Sequence, residues 1–123
     1  MSIGLVTASM AFSEIEVKRI DRVVGGFCRG RVPANVQDKL RLEYTISGHS
    51  VLVEEVRPHW REPGVFTRGG IAKFRFVRTV DEWRLFWQRA SLKWQAYEPL
   101  AASRDLGKLV REVDRDPYGC FFG

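Results

Sequence analysis

This sequence of 123 residues predicts an α+β fold: an N-terminal helix, a five-stranded antiparallel meander and a C-terminal helix, with both helices on one face of the sheet. Three observations lead there. Apolar residues recur at helical spacing near both ends, they alternate with polar residues through the middle, and the strand-like runs are separated by gaps too short for parallel crossovers. The length suits one domain with its own core.

The first helix starts in "AFSEIEVKRIDRVVGGFCRG". Ser13 can cap the free amides of the first turn, and Glu16, three residues on, can reach back to the cap amide, with Phe12 placed to staple against Val17. Val17, Ile20, Val24 and Phe27 then share one face, while Gly25 and Gly26 weaken the helix end. Pro33 in "RVPAN" breaks it.

The period then changes from helical to two. In "KLRLEYTI" Leu40, Leu42, Tyr44 and Ile46 alternate with polar residues, as a half-buried strand requires. "SGH" turns the chain and "SVLVEEVRP" returns as its hairpin partner. A long loop over 58–70 follows, rich in proline and glycine, of the kind that often carries function. "IAKFRFVR", "EWRLFWQR" and "LKWQAYEP" supply three more strands, turning near Thr79 to Asp81 and Ala90 to Ser91. Ser103 is placed to cap a second helix with Leu106, Leu109, Val110 and Val113 on one face, and Pro117 ends it. The aromatic tail "YGCFFG" should dock on the domain.

The remaining features bound the class. Residues 1–11 lack the basic flank and apolar length of an export signal or a membrane span; a disordered leader is expected there, ahead of a single domain over 12–123. Cys28 and Cys120 form no disulfide pattern, which points to a reduced, cytoplasmic chain with no membrane contact. No glycine-rich phosphate loop, serine elbow or series of metal ligands occurs. No cofactor, no metal and no catalytic residue is therefore assigned.

The charge has a location. The net +5 of the chain is matched by residues 61–93 alone, with eight basic and three acidic side chains, so the remainder is neutral. Alternation predicts that Phe74, Phe76, Trp83, Leu85, Trp87, Leu92, Trp94 and Ala96 face the helices. The opposite face then presents Lys73, Arg75, Arg84, Phe86, Lys93 and Tyr97. Cations for phosphates and rings for bases on an open sheet describe a platform for single-stranded nucleic acid, and the same pattern also fits an ordinary solvated face or a homodimer or protein-partner interface. A further candidate site gathers Glu55, Arg57, His59 and Trp60 under the long loop as a ligand or enzyme pocket. Glu55 and Arg57 fall on one face and should pair.

The segments "EVRPHW", "IAKFRFVR", "WRLFWQRASLKWQAYEP" and "DPYGCFFG", in that order, resemble a family of small bacterial proteins described only as a domain of unknown function. The resemblance covers about residues 12–123. It implies a bacterial cytoplasmic protein and supplies no activity.

Overall fold

The structure, a computed structural model, describes residues 5–6 and 11–123. The leader expected over 1–11 lies mostly outside the described residues, and within it Leu5–Val6 (β1) pair in parallel with Thr45 and Ile46. The first helix opens as α1 (Glu14–Ile20), widens into a π-helical turn over Asp21–Gly25 and continues as α2 (Gly26–Arg31). The meander is β2 (Arg41–Ser47), β3 (Ser50–Pro58), β4 (Phe66–Val77), β5 (Glu82–Gln88) and β6 (Trp94–Ala96), each antiparallel to the next. A two-residue strand, β7 (Ala102–Ser103), pairs with β5 ahead of the last helix, α3 (Leu106–Arg115).

The start of α1 follows from its sequence. The Ser13 hydroxyl accepts the Glu16 amide and the Glu16 carboxylate accepts the Ser13 amide, which satisfies two N–H groups the first turn leaves free. Glu16 also binds Arg78, tying the helix to the β4–β5 connection. Phe12 stacks on Trp83, ring centroids 5.7 Å apart.

The helix does not end at Gly25. A side chain there would come within 2.6 Å of the Asp21 carboxylate and 3.1 Å of the Tyr44 ring. Its absence lets the helix settle against β2, where Asp21 Oδ1 accepts the Tyr44 hydroxyl at 2.7 Å and an Arg29 N–H at 3.1 Å. The π-helical turn adds a residue, so Ile20, Val24 and Cys28 are the buried positions. Cys28 behaves as an apolar core residue, its thiol pushed up to about 12 by burial.

One face of the sheet meets the helices. Register puts Tyr44 opposite Val53, Val51 opposite Phe74, Phe74 opposite Leu85 and Phe76 opposite Trp83. All of these are buried, together with Leu106, Leu109, Val110 and Val113 of α3. Each such side chain contributes roughly 1.5–3 kcal/mol by area. Two expectations change at α3. Its N-cap is Asp105, while Ser103 sits in β7 and its hydroxyl accepts the Asp105 amide. The tail docks because Asp116, in a left-handed conformation with φ 45°, accepts the amides of Phe121 and Phe122 on its carboxylate and so draws Phe121 into the core.

The β5–β6 hairpin departs furthest from expectation. A turn centred on Ala90 and Ser91 would set Trp94 opposite Trp87. The observed turn is one residue longer: Arg89 donates to the Lys93 carbonyl, Leu92 donates to the Arg89 carbonyl, and Leu92 takes φ 69°. This is the three-residue hairpin loop that ends in a left-handed residue. Trp94 therefore faces Gln88 and Ala96 faces Phe86, because a slip of one residue reverses every side chain.

Tyr97 is consequently enclosed, 1% exposed, against Phe121. Its hydroxyl donates to Glu112 Oε2 at 2.6 Å, and Arg115 holds the other oxygen at 2.8 Å. Tyr97→Phe should lower stability by about 1–3 kcal/mol, since a buried carboxylate loses a partner. The Tyr97 hydroxyl first, and Arg115 second, hold the Glu112 carboxyl below the usual carboxylate range. Its contribution is complete above that range and fades as pH falls through the lowered pKa. Urea unfolding of the native chain and Glu112→Gln should differ at neutral pH and converge in acid; a gap unchanged by pH would contradict the assignment.

Candidate nucleic-acid interface

The sheet face turned away from the helices divides into two halves. Over β2, β3 and the start of β4 it is closed by an ion-pair lattice. Arg41 binds Glu43, and Arg68 binds both Glu43 at 2.9 Å and Glu54 at 3.6 Å. By register Val56 lies on this face between Arg41 and Arg68 and is fully buried. Arg41 also sits 4.9 Å over the Phe66 ring.

Over the rest of β4, β5 and β6 no such lattice occurs among the described residues. Lys73 is paired across the ladder with Phe86, and Arg75 with Arg84. The Lys73 ammonium lies 5.0 Å from the Phe86 ring centroid and 5.3 Å from that of Trp94. Neither Lys73 nor Arg75 pairs with a carboxylate among the described residues. Arg84 binds Glu82 at 3.2 Å. That exposed pair is worth about 0–1 kcal/mol, little enough for a competing anion to displace.

Of the six residues the sequence assigned to this interface, Lys73, Arg75, Arg84 and Phe86 come together. Tyr97 does not, because the longer β5–β6 turn sends it into the core. Lys93 is exposed in that turn, one residue before β6 begins. Trp94, expected among the helices, is half-buried on this face and takes the place given to Tyr97.

The strand glycines held a signal for Trp94. A side-chain carbon at Gly70 would lie 2.9 Å from the Trp94 ring and 2.7 Å from Gln88 Oε1. A glycine inside a strand marks such a close approach. Here it is the floor on which the indole lies.

The second candidate site is dispersed. β3 runs to Pro58 and β4 starts at Phe66, so the loop expected over 58–70 is confined to 59–65, and none of its residues lines the groove beside Glu55. Glu55 and Arg57 close on each other as expected. Glu55 also borders a groove of about 240 Å³, lined by Arg31, Val32, Pro33, Val36, Leu40, Leu42 and Phe122. His59 and Trp60 lie outside it at the hairpin tip, where His59 Nδ1 accepts the amides of Arg61 and Glu62 at 3.1 Å each. Among the described residues, no three His, Cys, Asp or Glu side chains gather as a metal site would need. No described helix is long and apolar enough to cross a membrane.

A family model described as a domain of unknown function, DUF3024, matches residues 12–123 of this chain. No curated protein and no solved structure matches it.

Gly70→Ala is expected to lift Trp94 from its seat and expose it. Tryptophan emission should shift to the red relative to the native chain, and the shift should vanish when Trp94→Phe is added; a shift that survives Trp94→Phe would show that another indole had moved.

Proposed function

The chain belongs to the DUF3024 family, a domain of unknown function, and we propose that it is a non-enzymatic bacterial cytoplasmic module that binds single-stranded nucleic acid on the open half of its sheet. The observation that carries this reading is the placement of Lys73 between the rings of Phe86 and Trp94, with Arg75 on the same face.

Two half-buried rings that share one ammonium, 5.0 and 5.3 Å away, offer stacking surfaces for unpaired bases, whose faces a duplex would hide. Lys73, Arg75 and Arg84 supply charge for the phosphates that join those bases. Cation–π attraction of about 0.5–1 kcal/mol at an exposed site holds Lys73 over the rings. That is weak enough for the ammonium to turn to a phosphate while a base takes its place. The concentration of the net charge of +5 in residues 61–93 supports the same partner class, because β4, β5 and the turns on either side of β5 lie within that segment.

Fluorescence anisotropy with mixed-sequence oligonucleotides should give tighter binding to single strands than to duplexes, and binding that weakens as salt rises. Trp94→Ala should reduce affinity by about fivefold or more, given roughly 1–3 kcal/mol for one base stack. Lys73→Ala with Arg75→Ala should also flatten the salt dependence. Absence of binding, or binding indifferent to salt, would refute the reading.

A further inference from the structure

One polar side chain beside the seat of Trp94 has an atom left over. Gln88, the last residue of β5, stands opposite Trp94 in the ladder, so the two side chains rise next to each other on the open face. Both lean over Gly70: a side-chain carbon there would come within 2.7 Å of Gln88 Oε1 and 2.9 Å of the indole. Two groups so close to one point are neighbours, and the oxygen lies beside the ring.

The turn fixes which way the Gln88 amide faces. With Leu92 in its left-handed conformation, its amide donates to the Arg89 carbonyl and its own carbonyl accepts Gln88 Nε2 at 3.1 Å. A carbonyl can only accept, so the nitrogen must be the end that meets Leu92 and the oxygen the end that lies over Gly70. No group among the described residues donates to that oxygen. Nor is it shut in. Among the described residues no buried side-chain oxygen or nitrogen lacks a partner, so this partnerless oxygen on a half-buried residue reaches solvent. The open face thus holds an acceptor, locked in direction and accessible, next to a stacking ring.

On the footing that this face binds single strands, we propose that Gln88 selects the base that stacks on Trp94. Its Oε1 accepts a hydrogen bond from an exocyclic amino group, so the site prefers adenine and cytosine to thymine and uracil. Stacking alone is tolerant, because every base has a π-face; a choice among bases comes from hydrogen bonds to their edges. The amino groups of adenine and cytosine project from that edge as donors, whereas thymine and uracil carry a carbonyl oxygen in the same place. Set against a second acceptor, Oε1 is left unpaired beneath the base, which costs binding. The amide cannot turn over to suit thymine. Doing so would break its bond to Leu92 and bring two carbonyl oxygens together.

Fluorescence anisotropy with short oligo(dC) and oligo(dU) tests this choice, since the two bases share one ring size and differ at the edge that Oε1 meets. At neutral pH the native chain should bind oligo(dC) about fivefold more tightly, as one hydrogen bond is worth. Gln88→Met keeps the length of the side chain and removes the acceptor. It should bring the two affinities together by weakening oligo(dC) while that for oligo(dU) holds. Gln88→Leu takes its place if the first variant fails to fold by circular dichroism. Equal native affinity for the two oligonucleotides, or a preference for cytosine that survives the loss of Gln88, would overturn the base choice and leave single-strand binding in place. Absence of binding to both would overturn the two together.

Discussion

The pairing of Phe86 with Ala96 is the constraint from which both faces of this sheet take their character. Because side chains alternate, one register assigns Trp94 to the open face and Tyr97 to the core together. The assignment is held at two ends. On the open side Gly70 leaves room for the indole. On the covered side the Tyr97 hydroxyl reaches a carboxylate that Arg115 also binds. Leu92 bears the cost, about 1–2 kcal/mol for a branched residue in a left-handed conformation, and the burial of Tyr97 against Phe121 offsets it.

The covered face is assembled by polar contacts at its edges and apolar ones at its centre. Ser13, Glu16 and Arg78 fix the entry of the first helix, Asp21, Tyr44 and Arg29 fix its middle, and Asp116 fixes the returning tail. Each set meets backbone or side-chain donors that would otherwise be unpaired near the core. With the helices so located, no helix covers the opposite face among the described residues. Its two halves meet solvent differently: Arg41, Glu43, Glu54 and Arg68 neutralise one another, while Lys73 and Arg75 lean on rings or stand free of carboxylates among the described residues. The charge asymmetry of the sequence thereby becomes an asymmetry of the surface.

The β3–β4 hairpin shows how a loop-like composition can conceal a strand. Two glycines, a threonine and an arginine before Ile71 suggest a connection, yet β4 runs through them because β3 continues opposite. The ladder shifts between Val53 and Glu54 with one extra residue on β4, the mark of a bulge, which bends and twists a strand. Past Val56, the last β3 residue paired with β2, the hairpin continues as two strands alone and presents Trp60 at its end.

Much of this protein was legible in local order. The helix start at Ser13, the two apolar helix faces, the alternation of β2 to β5 and the pairing of Glu55 with Arg57 depend on residues two to seven positions apart, where spacing alone decides which side chains meet. Four of the six residues assigned to the interface follow from the same alternation. What the tertiary structure decided was phase and partner. Whether the β5–β6 turn holds two residues or three is a small difference locally; the seat of Trp94 on Gly70 and the bond of Tyr97 to Glu112 settle it together, and those partners lie far off in the sequence. Likewise the reach of β4 into a glycine-rich segment depended on β3 lying beside it, because a strand forms only where another backbone completes its hydrogen bonds.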